Sequence, residues 1–233
     1  MARIGRVLTA MVTPFGSDGA VDYAQAARLA TALLASGSDG LVVTGTTGES
    51  PVLSHDEKLR LYETAKRAVG DRGTIIAGVG TYDTAASVAL AREAREAGAD
   101  GFLLVVPYYN KPPQEGLYRH FTAIADATDL PCILYNVPSR TVTNLAAETV
   151  ARLSSHPHIV GIKEASGNLD QISKIIASCP EDFLVWSGND GDTLPMLALG
   201  GYGVVSVASH VVGRQIRDMI ERFVAGDTKG AAA

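Results

Sequence analysis

Four stretches of this sequence carry side chains able to do carbonyl chemistry. The first is Ile159-Val160-Gly161-Ile162-Lys163-Glu164. Side chains alternate direction along a strand, so if Val160 and Ile162 pack outward, Gly161 and Lys163 point inward. A lysine held among apolar groups loses hydration, which disfavours its charged form and lowers its pKa. The neutral amine can then attack a carbonyl and form a Schiff base. The plainer reading pairs Lys163 with Glu164 in solvent. The second stretch runs from Cys132 to Thr141. There Tyr135 shares its inward parity with Ile133 and could relay a proton to a carbinolamine. The planar fork of Arg140 suits a carboxylate. A core tyrosine and a solvated arginine are the alternatives. The third stretch is Thr44-Gly45-Thr46-Thr47-Gly48-Glu49-Ser50, where successive N–H groups and two hydroxyls can form a nest for a small carboxylate. It lacks the Gly-Lys-Ser/Thr ending of a nucleotide loop, and a capped turn would look the same. The fourth, Val106 to Pro113, sets Tyr108 and Tyr109 between prolines. One tyrosine could face a site and the other a partner subunit, or both could simply stiffen the loop.

Other chemistries find little footing. Of the five histidines only His156 and His158 form a local pair, and they precede the lysine strand rather than follow it. No H-E-x-x-H, cysteine set or G-x-S-x-G appears. Cys132 and Cys179 make no disulfide framework, which fits a reducing compartment and predicts a cytoplasmic protein. Hydrophobic residues make up 46% of the 233 and charged residues 19%, so the chain is not intrinsically disordered. Twenty basic against twenty-five acidic residues give −5, with no general pull toward nucleic acid or anionic lipid. No apolar run approaches the ~18 residues of a membrane helix. Arg3, Arg6 and Val7-Leu8 faintly resemble a signal peptide, but Thr9, Thr13 and Pro14 interrupt the run, which reads as a first strand.

These residues need a scaffold, and the chain alternates in a way that supplies one. Strands are predicted at 6–11, 40–44, 74–78, 101–106, 132–136, 159–163, 183–187 and 203–207. Helices are predicted at 22–36, 54–69, 84–97, 114–127, 145–153, 169–178, 192–199 and 212–225. Ser54 with Glu57 three residues on is a capping-box pattern. Eight strand–helix units imply a parallel sheet covered on both sides, and in count and length they match a (β/α)8 TIM barrel of the α/β class. An open doubly wound sheet would want a G-x-G-x-x-G turn after the first strand, where Thr13-Pro14-Phe15-Gly16 stands instead. Residues 1–225 are expected to form the catalytic barrel and 226–233 a short tail without order. A barrel places its site at the C-terminal strand ends, where all four stretches fall.

Together, in this order, Gly45–Ser50, Pro107–Asn110, Tyr135–Thr141 and Gly161–Ala165 resemble the dihydrodipicolinate synthase family of pyruvate-dependent class I aldolases, over about Val7 to Val224. The resemblance implies condensation of pyruvate with aspartate semialdehyde, on the route to diaminopimelate and lysine. It implies that Lys163 forms the Schiff base and that Tyr135 works in a proton relay with Thr46 and Tyr109. Tyr109 would be lent across a tight interface of a homodimer or homotetramer. Thr47 would hold the pyruvate carboxylate and Arg140 the carboxylate of the second substrate. Gly188 and Val205 would line the site. No metal or organic cofactor is implied. Two departures stand out. Members usually continue into a helical extension beyond the barrel. Lysine-inhibited members bind lysine near Ser50, His55 and Tyr108, with a glutamate and an asparagine where Ala86 and Tyr82 stand here, so weak inhibition is expected. Related readings are an N-acetylneuraminate lyase or a 2-keto-3-deoxy sugar-acid aldolase, which tend to differ in the Gly45–Gly48 loop, or an inactive keto-acid binder.

Overall fold

The computed structural model describes residues 4–233. In chain order its main elements are β1 (Val7–Ala10), α1 (Tyr23–Ala35), β2 (Gly40–Val43), α2 (His55–Val69), β3 (Thr74–Gly78), α3 (Thr84–Glu96), β4 (Gly101–Val105), α4 (Gln114–Asp126), β5 (Cys132–Asn136), α5 (Pro138–Thr141), α6 (Ala147–Leu153), β6 (Ile159–Glu164), α7 (Leu169–Ser178), β7 (Leu184–Ser187), α8 (Thr193–Ala198), β8 (Gly203–Ser206), α9 (Ser209–Val224) and α10 (Thr228–Ala232). The strands pair in parallel in sequence order, and β8 closes on β1 through Leu8↔Val205 and Thr9↔Ser206. The sheet is therefore a closed (β/α)8 barrel, and the open doubly wound alternative does not apply.

Strand alternation divides the core into two shells. Leu41, Ile75, Phe102, Leu104, Leu134, Ile162 and Val185 face the helices. Leu8, Val42, Ile76, Leu103, Ile133, Tyr135, Trp186 and Val205 fill the barrel. Trp186 is fully buried and donates its indole N–H to the Gly5 carbonyl at 3.0 Å. Gly161 is required by that packing. A Cβ there would lie 2.2 Å from the Leu184 carbonyl oxygen and 2.7 Å from the Trp186 ring. The space beside Gly161 is thus taken by tryptophan rather than left for the lysine.

Strand β6 departs from plain alternation. Cys132 pairs with Ile159 but Ile133 pairs with Gly161, so β6 carries one extra residue. This is a β-bulge. Ile159 lies in the outer shell, whereas Val160, expected to face the helices, packs against the inner cluster. After the bulge the alternation resumes with Ile162 outward.

Local chemistry sets the element ends. Ser54 and Glu57 complete the capping box of α2. The residues after Ala225 correct the expectation of an unordered tail. Asp227 caps α10 by accepting from the Gly230 N–H at 2.8 Å, and Ala231 is buried. Two features hold this segment: the aspartate cap, which satisfies an orphan N–H, and the apolar contact of Ala231. The turn at Pro138–Thr141 was also absent from the sequence reading.

One buried base bears on stability. His120 of α4 is 5% exposed and shares a 2.8 Å hydrogen bond between its Nδ1 and the Thr84 hydroxyl. Its Nε2 has no partner among the described residues, and burial pushes the imidazole down to about 4 from 6.5. The unfolded chain then binds more protons between those pH values. Stability is expected to fall by up to about 3 kcal/mol as pH drops through that window. Melting curves of His120→Asn should lose this acid dependence; an unchanged slope would refute it.

Candidate active site

The C-terminal strand ends meet around a cavity of about 220 Å³. Its walls include Thr44, Gly45, Thr46, Tyr108, Tyr135, Arg140 and Thr141. Lys163 is not part of the cavity wall; it is 4% exposed, with Nζ 4.2 Å from the centroid of the Tyr135 ring, which is part of it. The two are direct neighbours in register, Tyr135↔Lys163. Burial pushes the lysine down to about 8 from 10.5; the Arg140 charge adds to this and the Asp190 carboxylate opposes it. The plainer reading of Lys163 paired with Glu164 in solvent is excluded. Glu164 points away from the barrel, 1% exposed, and is bonded to other residues.

Tyr135 is buried and its phenol is raised by that burial, with a Thr46 hydrogen bond and the Arg140 charge pulling the other way. It therefore stays a proton-bearing group at neutral pH. Arg140 is exposed on the short helix α5, which begins at Pro138 directly beyond β5. Val205 is fully buried in the same inner shell as Tyr135. Gly188 follows β7 and donates its N–H to the Glu164 carbonyl at 2.7 Å.

The strand-two loop is more specialised than a capped turn. The Glu49 and Ser50 N–H groups are spent inside it, on the Thr46 and Gly45 carbonyls. Only the Gly45–Gly48 part can receive an anion, and Thr46 and Thr47 lie there, partly or fully exposed. Tyr108 and Tyr109 divide as the sequence allowed. Tyr108 lines the cavity and meets Tyr82 edge-on at 5.3 Å. Tyr109 is 90% exposed at φ +74°, so it does not reach Lys163 or Tyr135 of its own chain.

Residues 3–233 match the Dihydrodipicolinate synthetase family. The chain belongs to that family. It is 62% identical over 233 residues to the 4-hydroxy-tetrahydrodipicolinate synthase of Dehalococcoides mccartyi, covering all of this chain and 78% of that one. Among solved structures, a dihydrodipicolinate synthase from Bacillus anthracis superposes with a TM-score of 0.97 at 47% identity, covering 100% of this chain and 80% of its own. The synthase of Cyanidioschyzon merolae with lysine bound superposes at 0.95 and 47% identity, covering 98% and 80%.

Within the dihydrodipicolinate synthetase fold, several site residues escaped the sequence reading. Thr44 adopts φ +54° at the end of β2, an uncommon conformation for a β-branched residue. It is held there by a 2.6 Å hydrogen bond shared with the Tyr62 hydroxyl, which also donates to the Gly78 carbonyl at 3.0 Å. The tyrosine comes from α2, so no local motif could announce the contact. Asp190 accepts from the Ser206 hydroxyl and from the Val207 and Ala208 N–H groups at 3.1 and 3.0 Å. Its side chain is thereby held where β7 and β8 end. Only its neighbour Gly188 was singled out from sequence.

Gly188 also limits the space around the lysine. A Cβ there would lie 2.6 Å from the Ala165 Cβ, 3.1 Å from Lys163 Cε and 3.2 Å from the Glu164 carbonyl oxygen. Gly188→Ala is expected to displace the amine and lower kcat by about 100-fold, since a 1 Å error at a reacting atom costs that order. Steady-state kinetics with a melting curve as control would check it; unchanged kcat would show that the lysine has slack.

Proposed function

We propose that this chain condenses pyruvate with L-aspartate 4-semialdehyde through a Schiff base on Lys163, giving 4-hydroxy-tetrahydrodipicolinate for diaminopimelate and lysine biosynthesis. The observation that carries the reading is a buried amine, held to about 8, beside the Tyr135 ring at the mouth of a barrel whose relatives are synthases. The neutral amine attacks the pyruvate ketone. The resulting carbinolamine loses its hydroxyl as water, with Tyr135 donating the proton. The protonated imine draws electrons from the neighbouring carbon, so a methyl proton leaves and an enamine forms. The enamine carbon attacks the aldehyde, and the aldehyde oxygen takes a proton. The substrate's own amine then displaces Lys163 as the ring closes. The iminium is the electron sink, so the sequence of bonds is complete without a metal or organic cofactor.

Thr46 hands protons between Tyr135 and Tyr109, and Thr47 binds the pyruvate carboxylate. Arg140, exposed at the rim, takes the carboxylate of the semialdehyde. Gly188 and Val205 shape the floor, Val205 through its backbone. Tyr109 acts in a neighbouring protomer's site, which its exposure supports, so the working form is a homodimer or homotetramer. Residues 1–225 are the catalytic unit. Among the described residues no helix is long and apolar enough to cross a membrane, and two free cysteines fit a reducing compartment; we place the protein in the cytoplasm. Lysine inhibition is weak, because Ala86 and Tyr82 offer no carboxylate for the effector's ammonium and His55 is already paired with Glu93 at 2.6 Å.

Incubation with pyruvate and borohydride, followed by peptide mass spectrometry, tests the Schiff base. The reduced adduct is expected on Lys163. Because the neutral amine is the nucleophile, trapping should rise about tenfold per pH unit below 8 and level off above it. An adduct elsewhere, or none in a folded sample, would overturn the assignment.

A further inference from the structure

Lys163 and Tyr135 are each followed by a buried polar residue whose purpose the reaction does not explain. Glu164 and Asn136 are neighbours in register, one step beyond the Tyr135↔Lys163 pair. Alternation puts them on the opposite face, under α6 and α7, where they are 1% and 0% exposed. Asn136 directs its Nδ2 at both carboxylate oxygens of Glu164, at 3.2 and 3.1 Å. The carboxylate also accepts from the Ser166 N–H at 2.8 Å and from Gln171 Nε2 at 3.3 Å. Asn136 in turn accepts from the Leu145 N–H at 2.9 Å and donates to Asn144 Oδ1 at 2.8 Å. Every partner of the Glu164 side chain is a donor; burial raises the carboxyl above its ordinary range, and the bonds from Asn136, Ser166 and Gln171 pull it back.

Burying a carboxylate is costly, and apolar packing of equal volume would serve stability as well or better. What a fully satisfied polar network adds is a single geometry. Here that geometry is the alignment of two adjacent strand ends. We propose that Glu164 and Asn136 are positioning residues, a clip on the outer face of β5 and β6 that sets the Tyr135 ring against the Lys163 amine on the inner face. The proposal rests on the Schiff-base reading of Lys163.

The clip makes a demand that bulk packing does not: its two members must have complementary polarity. Glu164→Gln turns one accepting oxygen into an NH2 that faces the Asn136 amide and either the Ser166 N–H or the Gln171 amide, and Asn136→Asp puts two carboxylates together. Each is expected to slow both kcat and the pyruvate–borohydride trapping of Lys163 by about 100-fold, with KM for pyruvate little changed. The double variant Asn136→Asp/Glu164→Gln restores one donor opposite one acceptor and should recover at least about tenfold of the loss. Melting curves would accompany each variant. Should a variant fail to fold, Gln171→Ala, which removes one donor from the half-buried edge of the network, is expected to lower trapping severalfold. Lower melting temperatures with unchanged kcat and trapping would overturn the proposal, as would a double variant no better than the worse single, or an unaltered Gln171→Ala. A parent chain that gives no adduct on Lys163 would instead sink the Schiff-base reading.

Discussion

Lys163→Met is expected to melt higher than the parent at pH 7 and to condense nothing. Loss of a covalent nucleophile should cost on the order of 10³–10⁶ in kcat. The gain in stability follows from the same burial. The amine titrates at about 8 in the fold against 10.5 ordinarily. Between those pH values the unfolded chain binds more protons, so stability rises with pH across the window, and the penalty is fully present below 8. Its size is about 3 kcal/mol. Methionine fills similar space without a charge to desolvate, so Tm should rise by about 5–10 °C at pH 7. The gap should close as pH approaches 10.5. A gap that does not change with pH, or a parent that melts higher, would mean the amine is solvated.

Tyr135→Phe separates proton transfer from packing. The ring face against the lysine is kept at its 4.2 Å spacing, and only the hydroxyl is removed. Loss of a positioned acid–base group should lower kcat by about 10²–10⁴. Burial raises the phenol, so in the parent it arrives protonated and can donate during loss of water from the carbinolamine. Trapping of the imine should therefore slow in the variant, while the melting curve stays close to the parent's. A drop of less than about tenfold would pass the role to Thr46 or to water.

Much of the architecture was legible because it follows from simple regularities. Eight apolar runs, each followed by a helix-period segment, leave few topologies, and β3, β5 and α7 begin and end at the predicted residues. Tyr135 could be placed inward from parity alone; Lys163 follows from parity only when counted from Ile162, because Val160, expected outward, packs inward at the bulge. What stayed hidden depends on distant partners. Thr44 is held in a left-handed turn by a tyrosine eighteen residues away on α2. Glu164 looked like a solvent partner for Lys163, and only the approach of Asn136 and Gln171 shows why it can turn inward under the helices. Tyr109 could be assigned to a neighbour only through the family likeness, because a residue that projects into solvent has no local pattern to reveal its target.

The extra residue in β6 has a counting consequence. Ile159, anchored in the outer shell, and Lys163, inside the barrel, are four positions apart. In an unbroken strand positions four apart share a face, so this lysine would lie on the outside, greased between helices and out of reach of any substrate. The bulge at Val160 is the phase shift that brings it to the lumen. The inward placement of Lys163 at this spacing from Ile159 thus depends on the extra residue in β6. Deleting one residue between Ile159 and Ile162 would set Lys163 three positions from Ile159, on the opposite face of a regular strand, so the lysine would keep its place in the lumen with no bulge to supply the phase shift.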